Sequence, residues 1–455
     1  MYKPAVIIGA GISGLSAAYH LAQKGAPSIV LDPRPRPGGV IETFHADGFT
    51  IEGGPDSFLA AKPEALTLIR ELGLEGDVIS SNDHQRKTFI FKRGKMVQLP
   101  DGVMMMVPTK VLPMALSPLL GWGTKLRMGL EYFRKPAAPR PDESVAEFIE
   151  DHYGPEAVEY LAEPLLSGVY GGDPRSLSVR SVLPRFADLA DRYGSLTRGV
   201  IAGLPKPGSS RRKPHNDAGS IFRTLKGGLG QLVDALLASL GDKVRFERAA
   251  VETIEPANSG FRVRINGDWL ETDHVIVACE AYNASTLLTG RLSELLATIP
   301  YSSSIVVAFA LDEPPPMPGF GFLVPAKERR RIVATTWLGA KFPHRAPQGK
   351  SVARCFLAGE DEPDIEAIYR ELSELSGLRA RPIFHRVWKW PRSMAQYTVG
   401  HAARIAEIQS HIATTPGLHL AGNAYSGIGI PDCIRSGKQA AESILSGALM
   451  HQSAK

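Results

Sequence analysis

The first 32 residues contain the feature that most constrains the fold. An apolar run at 5–8 leads into Gly9-Ala10-Gly11-Ile12-Ser13-Gly14, and a helical pattern of small and apolar residues follows. A second apolar run, at 28–31, ends in Asp32. Such runs predict parallel strands buried on both faces, so the segment predicts a strand, a tight turn, a helix and a second strand. A glycine fingerprint in this setting, with an acid roughly 20 residues further on, indicates dinucleotide binding.

Each glycine of the fingerprint has a physical role. Gly9 permits the tight turn, Gly11 lets the backbone approach a pyrophosphate, and Gly14 lets the helix pack closely against the strand. The amino end of the helix offers free N–H groups and the positive end of the helix dipole. Asp32 is placed to accept a hydrogen bond from a ribose hydroxyl. A glycine-rich turn without a ligand explains this combination less well.

Two more glycine pairs follow the second strand. Arg34 and Gly38-Gly39 suit a phosphate-bearing ligand that continues along the edge of the sheet. Gly53-Gly54-Pro55-Asp56 provides a further stretch of backbone that a ligand can approach closely. Glycine pairs are common in turns, so each pair taken alone is more often structural than functional.

The composition excludes several classes of function. The chain has 455 residues, which is enough for two or three substructures. The net charge of +5 is mild, and the basic runs 211–213 and 327–331 are interpreted as solvated loops, so no nucleic-acid partner is expected. The three cysteines have no CxxC spacing, which argues against disulfides and a metal site and fits a cytoplasmic protein. The amino terminus has no secretory-signal pattern.

The segment 103–133 is apolar and rich in methionine, but prolines and lysines interrupt it. The sequence has no uninterrupted apolar stretch of about 18 residues, so no transmembrane helix is predicted. The segment fits a pair of core helices, a peripheral membrane patch or the wall of an apolar pocket. Core packing is the default interpretation.

The middle of the chain differs in character from the amino-terminal part. A helix is predicted over 142–153, with Ser144 as its N-cap and Glu147 as the partner in a capping box. The segment 164–174 is interpreted as a glycine-rich bend, and 205–219 as an exposed loop.

Strand patterns return in the second half of the chain. The cluster at 244–278 is interpreted as a return to the nucleotide-binding sheet. An antiparallel sheet is predicted from short strands between 305 and 357. A final helix is predicted over 431–445, because proline suits the first helical position.

Together these residues resemble the bacterial porphyrinogen oxidases, flavoproteins of the amine-oxidase-like superfamily that act in haem synthesis. The fingerprint is shared across that superfamily, whereas the segments at 164–173 and at the carboxyl end are narrower signals. The resemblance covers nearly the whole length. Its matching segments are 9–15, 53–58 with Lys62-Pro63, 164–173 with 177–178, Trp390, 396–397, 399–401 and 420–434.

The resemblance implies an α/β fold with three parts. These are a discontinuous Rossmann-like FAD-binding domain, an inserted α+β substrate domain with an antiparallel sheet, and a helical domain that forms a channel or faces a membrane. Their expected bounds are 1–84 with 220–290 and 398–455, then 85–102 with 291–397, then 103–219. The implied contacts of a noncovalent FAD are Gly9, Gly11, Ile12, Ser13, Gly14, Asp32, Arg34, Gly38, Gly39, Gly53, Gly54, Pro55, Asp56, Val251, Trp390, Gly422, Ile428, Gly429 and Ile430.

The implied reaction is the oxygen-dependent oxidation of coproporphyrinogen III or protoporphyrinogen IX, with hydrogen peroxide as the second product. It requires no metal and no catalytic side chain beyond the flavin. Lys62 is the first candidate to bind a substrate propionate, Arg86 and Lys87 are weaker candidates, and Gly168 is expected to lie against the ring. A solvated role for the cations and a structural role for Gly168 stay open. The soluble composition tilts the substrate preference toward coproporphyrinogen III.

The resemblance is not complete at every position. Asp32 stands where the family more often has glutamate, and Ala395 where a proline is usual. Cys433 is interpreted as a buried thiol that is not attached to the flavin.

Alternative interpretations are a flavin amine oxidase, a carotenoid desaturase or a non-catalytic flavin-binding partner. A low aromatic content argues against the aromatic cage of an amine oxidase, and a desaturase would have stronger membrane character. A ferrochelatase is the expected downstream acceptor. The expected location is the cytoplasm, with peripheral contact with the inner face of the membrane as the alternative.

Overall fold

A computed structural model describes residues 3–104, 106–136, 138, 140–203, 220–359 and 361–453, without the side chains of 169 and 447–453. The predicted loop 205–219, with its basic run 211–213, lies outside the described residues. The predicted α/β class is confirmed, because a parallel sheet with packed helices is joined to a second, larger sheet and to a helical part.

A five-stranded parallel sheet holds the glycine fingerprint at its carboxyl edge. The strand Ala5–Ile8 is buried along its whole length, which explains its continuous apolar pattern. The sheet takes strands from three distant parts of the chain, while the expected domain bounds stay a prediction. Its strands, in spatial order, are Val244–Glu247, Ser28–Leu31, Ala5–Ile8, Val275–Val277 and Leu418–Leu420.

The first and last helices of this part, Ile12–Gln23 and Ile430–Ser453, pack tightly against each other. A Cβ atom on Gly437 would lie 2.0 Å from the carbonyl oxygen of Ser13, so this contact requires glycine. The hydroxyl of Ser16 donates a hydrogen bond of 2.9 Å to the carbonyl oxygen of Ile434. The predicted final helix is therefore confirmed, and its first turns lie beside the fingerprint helix.

The second sheet has seven strands and is antiparallel except at one pair. The pair Gly321–Leu323 and Thr88–Lys92 runs parallel, so the predicted antiparallel sheet is confirmed with this one difference. The long strand Pro382–Ala395, which the sequence does not reveal, forms one edge and leads to the carboxyl-terminal segment. The spatial order is Pro382–Ala395, Tyr301–Leu311, Ser351–Ala358, Ile332–Trp337, Gly321–Leu323, Thr88–Lys92 and Lys95–Gln98.

The predicted return of 244–278 to the nucleotide-binding sheet is right only at its two ends. The strands Val251–Pro256, Phe261–Ile265 and Asp268–Thr272 form a separate antiparallel sheet. Residues of the central strand alternate between buried and exposed, as expected for a sheet with one solvated face. Only the flanking strands of this cluster join the parallel sheet.

The predicted glycine-rich bend at 164–174 is wrong over its first half. A helix extends over Glu163–Tyr170, because Pro164 suits its first turn. Gly168 lies in the interior of this helix. Gly171, with φ of 57°, ends the helix in the left-handed conformation. The predicted capping box at Ser144 is confirmed at the start of the helix Val145–Tyr153.

The default interpretation of 103–133 as core helices is right only in part, because a minority of its residues join the core. The helices Val111–Leu116 and Trp122–Glu131 turn much of their apolar surface outward, and Trp122 is 76% exposed. The buried residues, among them Met114 and Met128, are the minority on these two helices.

Shorter elements connect these parts. The remaining strands are Thr43–Ala46, Phe49–Glu52, Phe58–Leu59, Val78–Ser80, Val103–Met104, Val107–Pro108 and Phe222–Leu225. The remaining helices are Pro63–Glu71, Pro155–Ala157, Val158–Ala162, Val179–Val182, Pro184–Tyr193, Leu196–Ala202, Gly230–Leu240, Ala281–Leu287, Gly290–Ala297, Leu338–Lys341, Ile365–Ser376 and His401–Ala413, with single 3₁₀ turns at Glu75–Asp77, Asp83–Gln85, Gly241–Lys243 and Ala326–Glu328.

Candidate flavin site

The glycine fingerprint forms a tight turn with free space on one side. Gly9 has φ of 107°, and a Cβ there would lie 2.9 Å from the carbonyl oxygen of Ala278. A Cβ on Gly14 would lie 1.9 Å from the carbonyl oxygen of Gly9, whereas one on Gly11 would meet no atom within 4 Å. The turn is therefore closed against the sheet and open at Gly11, which fits the approach of a pyrophosphate.

The amino end of the helix Ile12–Gln23 presents N–H groups to this open side. The first hydrogen bond of the helix runs from the Leu15 N–H to the Gly11 carbonyl oxygen at 2.9 Å, and no side chain caps the helix. The N–H groups of Ile12, Ser13 and Gly14 precede that bond and have no acceptor among the described residues. Such groups, with the helix dipole, form a site for a phosphate.

Asp32 lies at the end of the second strand, next to the fingerprint. Its carboxylate accepts hydrogen bonds from the Ala10 N–H at 2.7 Å, from the Arg34 N–H at 2.9 Å and from the Arg34 guanidinium at 3.1 Å. Burial alone would raise the pKa of Asp32, but these hydrogen bonds and the Arg34 charge lower it below its ordinary value. The group is a permanent anion, as an acceptor for ribose hydroxyls should be.

Gly38 and Gly39 close over the fingerprint. The Gly38 N–H donates to the Ala10 carbonyl oxygen at 2.7 Å, and a Cβ on Gly39 would lie 3.3 Å from the Cα of Gly11. Val251 follows the strand Val244–Glu247, whose last residue accepts a hydrogen bond from the Asp32 N–H. The structure thus brings the predicted adenosine and phosphate contacts together at one edge of the parallel sheet.

The segment Gly53–Asp56 begins between two tryptophans. A Cβ on Gly53 would lie 2.5 Å from Nε1 of Trp388, and the indole N–H of Trp390 donates to the Gly53 carbonyl oxygen at 2.8 Å. A Cβ on Gly54 would lie 2.0 Å from the Val40 carbonyl oxygen. Trp390 therefore fixes the backbone of this loop through its indole N–H.

A cluster of buried charges anchors the same loop to the second sheet. Asp56 accepts hydrogen bonds from Lys341 at 2.7 Å and from Arg354 at 3.2 Å, and Arg354 also donates to the Gly54 carbonyl oxygen. Burial opposes ionisation, but the two cations hold the pKa of Asp56 far below its usual range. Just before this loop, the fully buried Glu52 lies 3.3 Å from the fully buried Arg345.

The carboxyl-terminal segment forms the other wall of the candidate site. The Tyr397 hydroxyl donates to the Asn423 carbonyl oxygen at 2.7 Å and accepts from the Gly427 N–H at 2.7 Å. The Gly422 N–H donates to the Ser436 hydroxyl at 3.2 Å. These bonds shape the loop that delivers Ile428, Gly429 and Ile430 to the start of the last helix.

Cys433 lies in the first turn of that helix, near the side chain of Ser13. Only 7% of the residue is exposed, and burial raises the pKa of its thiol to about 12. A thiol in this state is a poor nucleophile, which supports the interpretation of Cys433 as unattached.

The predicted substrate residues lie in different local surroundings. Gly168 lies on the helix Glu163–Tyr170, where a Cβ would meet Cδ2 of Leu323 at 3.6 Å, an ordinary contact. Lys62 is paired with the buried Asp432 at 2.5 Å. Arg86 and Lys87 are exposed, and neither side chain has an ionic partner in the described part of the chain. The assignment of these residues to a substrate stays a prediction.

Sequence reasoning missed the residues that hold the site from behind. Lys341, Arg354 and Trp388 come from the second sheet and its neighbouring helix, and no local motif marks them. The one sequence signal for such a supporting residue is the Gln-Tyr pair at 396–397, because the hydroxyl of Tyr397 accepts a hydrogen bond from the Gly427 N–H. Asp432 lies within the matching segment 420–434, but no local pattern predicts its pairing with Lys62.

Two features are absent from the part of the chain that the structure describes. Among residues 3–104, 106–136, 138, 140–203, 220–359 and 361–453, no group of three His, Cys, Asp or Glu side chains could hold a metal ion. Over the same part of the chain, no helix is long and apolar enough to cross a membrane.

Comparison with known proteins identifies the class. The family model described as flavin containing amine oxidoreductase matches residues 12–445. The chain belongs to this family of flavin-dependent oxidoreductases, and the fingerprint geometry described above fits its cofactor.

Full-length relatives define the branch of the family. The coproporphyrinogen III oxidase of Bacillus subtilis is 33% identical over 97% of this chain and 98% of its own length. The enzyme of the same name from Staphylococcus aureus is 31% identical over 98% of this chain and 99% of its own length. A crystal structure from Exiguobacterium, provisionally named a protoporphyrinogen oxidase, superimposes with a TM-score of 0.87 at 29% identity. The match covers 98% of this chain and 99% of that chain. The predicted resemblance to porphyrinogen oxidases is confirmed.

The buried charge cluster makes a prediction about stability and flavin retention. Asp56→Asn leaves the charges of Lys341 and Arg354 buried without a counter-ion, so we expect a loss of roughly 3–5 kcal/mol in unfolding free energy at neutral pH. Because the pKa of Asp56 is lowered on folding, its contribution is complete above about pH 3.8 and is lost as the pH falls through the folded value. Denaturant unfolding at several pH values, with flavin content measured by absorbance, checks this.

The matched control is Asp268→Asn, on an exposed strand end without an ionic partner among the described residues. It should change neither stability nor flavin content by a measurable amount. Equal effects of the two substitutions would contradict the anchoring role of Asp56.

Proposed function

We propose that the protein oxidises a porphyrinogen to the corresponding porphyrin in haem biosynthesis. The observation that carries this proposal is the similarity to a coproporphyrinogen III oxidase at 33% identity over 97% of the chain. The amine oxidases that share the fold are only 18% identical, so they support the architecture and not the substrate.

We propose FAD, held without a covalent bond, as the cofactor. The fingerprint with Asp32 suits the adenosine and pyrophosphate, and the walls at 53–56 and 427–430 suit a ring at the other end of a dinucleotide. The protonated state of the Cys433 thiol favours noncovalent binding. The proposed contacts are Gly9, Gly11, Ile12, Ser13, Gly14, Asp32, Arg34, Gly38, Gly39, Gly53–Asp56, Val251, Trp390, Gly422, Ile428, Gly429 and Ile430.

The reaction removes six electrons and six protons from the porphyrinogen and reduces three molecules of oxygen to three of hydrogen peroxide. When bound, FAD supplies the acceptor for hydride from the substrate carbons. The chain itself binds and orients the two molecules: the indole N–H of Trp390 fixes the Gly53 carbonyl, and Tyr397 fixes the Gly427 loop. Both loops are thereby held rigid before substrate arrives.

We propose coproporphyrinogen III as the preferred substrate, with Arg86 and Lys87 at the mouth for its propionates. Both cations are exposed and unpaired within the described residues, and they precede the strand Thr88–Lys92. That strand pairs with Gly321–Leu323, whose Leu323 contacts the Gly168 position. A ferrochelatase is the enzyme class that would take the product, since a porphyrin must receive its metal after aromatisation.

We further propose that the helices Val111–Leu116 and Trp122–Glu131 rest on the inner face of a membrane. Along the second helix, Trp122, Leu126 and Leu130 are spaced four residues apart and point to solvent, and the stripe continues at Phe133. A soluble helix normally buries such a stripe. The exposed apolar residues of this surface are Val111, Leu112, Leu116, Trp122, Leu126, Leu130 and Phe133.

The charges around this surface favour an anionic lipid. Lys110 and Lys135 are exposed at its two ends. The one acidic residue between them, Glu131, is buried and hydrogen-bonded to His152 at 2.8 Å. An apolar face with a basic rim is typical of helices that lie in the membrane interface.

The proposed reaction predicts a clear anaerobic result. Purified holoenzyme mixed with coproporphyrinogen III should lose its flavin absorbance without air, and porphyrin fluorescence and peroxide should appear. Protoporphyrinogen IX should react with a lower kcat/KM. Flavin that stays oxidised with both substrates would overturn the proposal and direct attention to amines and polyenes.

Gly168→Ala tests whether the substrate ring needs the space at this helix. The added methyl group makes an ordinary contact with Leu323, so the fold should persist with an unchanged or slightly higher Tm. If the ring lies there, kcat/KM should fall at least about tenfold. Gly129→Ala, at an exposed helical site with no atom within 4 Å, is the control and should leave kcat/KM unchanged. Wild-type kcat/KM in Gly168→Ala would assign the glycine a structural role.

The membrane proposal predicts co-sedimentation with vesicles that contain phosphatidylglycerol, and weaker binding to phosphatidylcholine alone. Because burying one leucine contributes roughly 1.5–3 kcal/mol, Leu126→Ser should weaken binding about tenfold or more. Trp269→Ser, at an exposed tryptophan on another surface, is the control. Binding that is equal for both variants, or a stable dimer in place of vesicle binding, would contradict the proposal.

A further inference from the structure

A buried carboxylate lies between two cations at the start of the last helix. Asp432 is 3% exposed, and its oxygens lie 2.5 Å from Nζ of Lys62 and 2.6 Å from Nη2 of Arg435. Arg435 in turn lies 3.0 Å from a carboxylate oxygen of Glu64. The four groups carry two positive and two negative charges, so the cluster is neutral as a whole.

This cluster is in direct contact with the loop proposed to face the flavin ring. A Cβ on Gly427 would lie 2.4 Å from Cγ of Asp432, and one on Gly429 would lie 3.2 Å from its Oδ2. The guanidinium of Arg435 donates to the Ser426 carbonyl oxygen at 3.1 Å. Asp432 thus supports the glycine loop from behind, where any change in its charge acts on the ring across a short distance.

The negative charge of Asp432 also affects Tyr170, the last residue of the helix Glu163–Tyr170. Burial, together with the negative charge of Asp432, raises the pKa of the Tyr170 phenol to about 12. Tyr170 ends the helix that contains Gly168, and its carbonyl oxygen accepts from Gln396 at 2.7 Å. An uncompensated carboxylate at this place would therefore act on groups of both the last helix and the helix Glu163–Tyr170.

Flavin reduction adds negative charge to the ring, so a bare carboxylate nearby would oppose it. The dipole of the last helix favours that charge, and the carboxylate of Asp432 lies in the first turn of the same helix. We propose that Lys62 is a positioning residue that neutralises Asp432 and thereby sets the reduction potential of the flavin, and that it does not bind a substrate propionate. This inference rests on the proposed binding of FAD.

Arg435 cannot perform this role alone, because it shares its charge with Glu64 and the Ser426 carbonyl. Lys62 is the member of the cluster whose single ionic partner among the described residues is Asp432. Its side chain is 41% exposed, so its removal opens no large cavity in the core. These facts make Lys62 the residue whose loss should change charge more than structure.

The test measures the flavin, without a porphyrinogen. Two quantities are compared among variants of the FAD-bound full chain: the midpoint potential of the flavin and its affinity for sulfite. Sulfite adds to oxidised flavin and leaves an extra negative charge on it. Lys62→Met should lower the potential and weaken sulfite binding about tenfold, because the carboxylate is then less compensated. Asp432→Asn should shift both quantities in the opposite direction. Lys62→Arg should restore values near wild type.

Lys438→Met is the matched control, since Lys438 lies on the same helix and its pairing with Glu442 at 3.9 Å is exposed. It should leave the potential unchanged. A purely structural ion pair would give shifts of the same sign, or none, in Lys62→Met and Asp432→Asn. A propionate clamp would leave the potential of Lys62→Met unchanged, and a separate assay with coproporphyrinogen III would show only a raised KM. Either result overturns the inference, and loss of flavin from wild type would overturn the proposed cofactor instead.

Discussion

The contact between Asp56 and the two cations Lys341 and Arg354 is the constraint on which the rest of the site depends. It joins a loop of the nucleotide-binding part to a helix and a strand of the second sheet, at a place where the three side chains are largely shielded from water. Removing one partner of such a buried pair is costly, so the loop and the sheet are held in one relative position. A cofactor that spans both parts requires that fixed geometry.

Local patterns in the sequence predict the nucleotide-binding end well. The fingerprint at Gly9–Gly14 and the acid at Asp32 depend on short-range geometry, since a turn, a helix start and a strand end determine where each group lies. The capping box at Ser144 is equally local. In the same way, a proline at position 431 marks the start of the last helix. These features need no knowledge of distant contacts.

The remainder depends on contacts between residues far apart in the chain, which no local pattern encodes. Lys62 looks like a free cation in its motif, yet it meets Asp432, which lies 370 positions away. The segment 164–174 looks like a turn because it is rich in glycine, but its proline and apolar residues extend a helix whose glycine is tolerated in the interior. The apolar character of 103–133 predicts burial, and the structure places much of it on the surface.

The order of strands in the parallel sheet has a consequence for how the protein is made. Its middle strand is Ala5–Ile8, while Leu418–Leu420 and the helix Ile430–Ser453 are synthesised much later. A ribosome must therefore extend the chain past residue 430 before the loop 427–430 can take its place beside the fingerprint helix. Until then the nucleotide site of the nascent chain is incomplete, and its exposed apolar strands are prone to aggregate with other chains. The nucleotide site is therefore completed late in the synthesis of the chain.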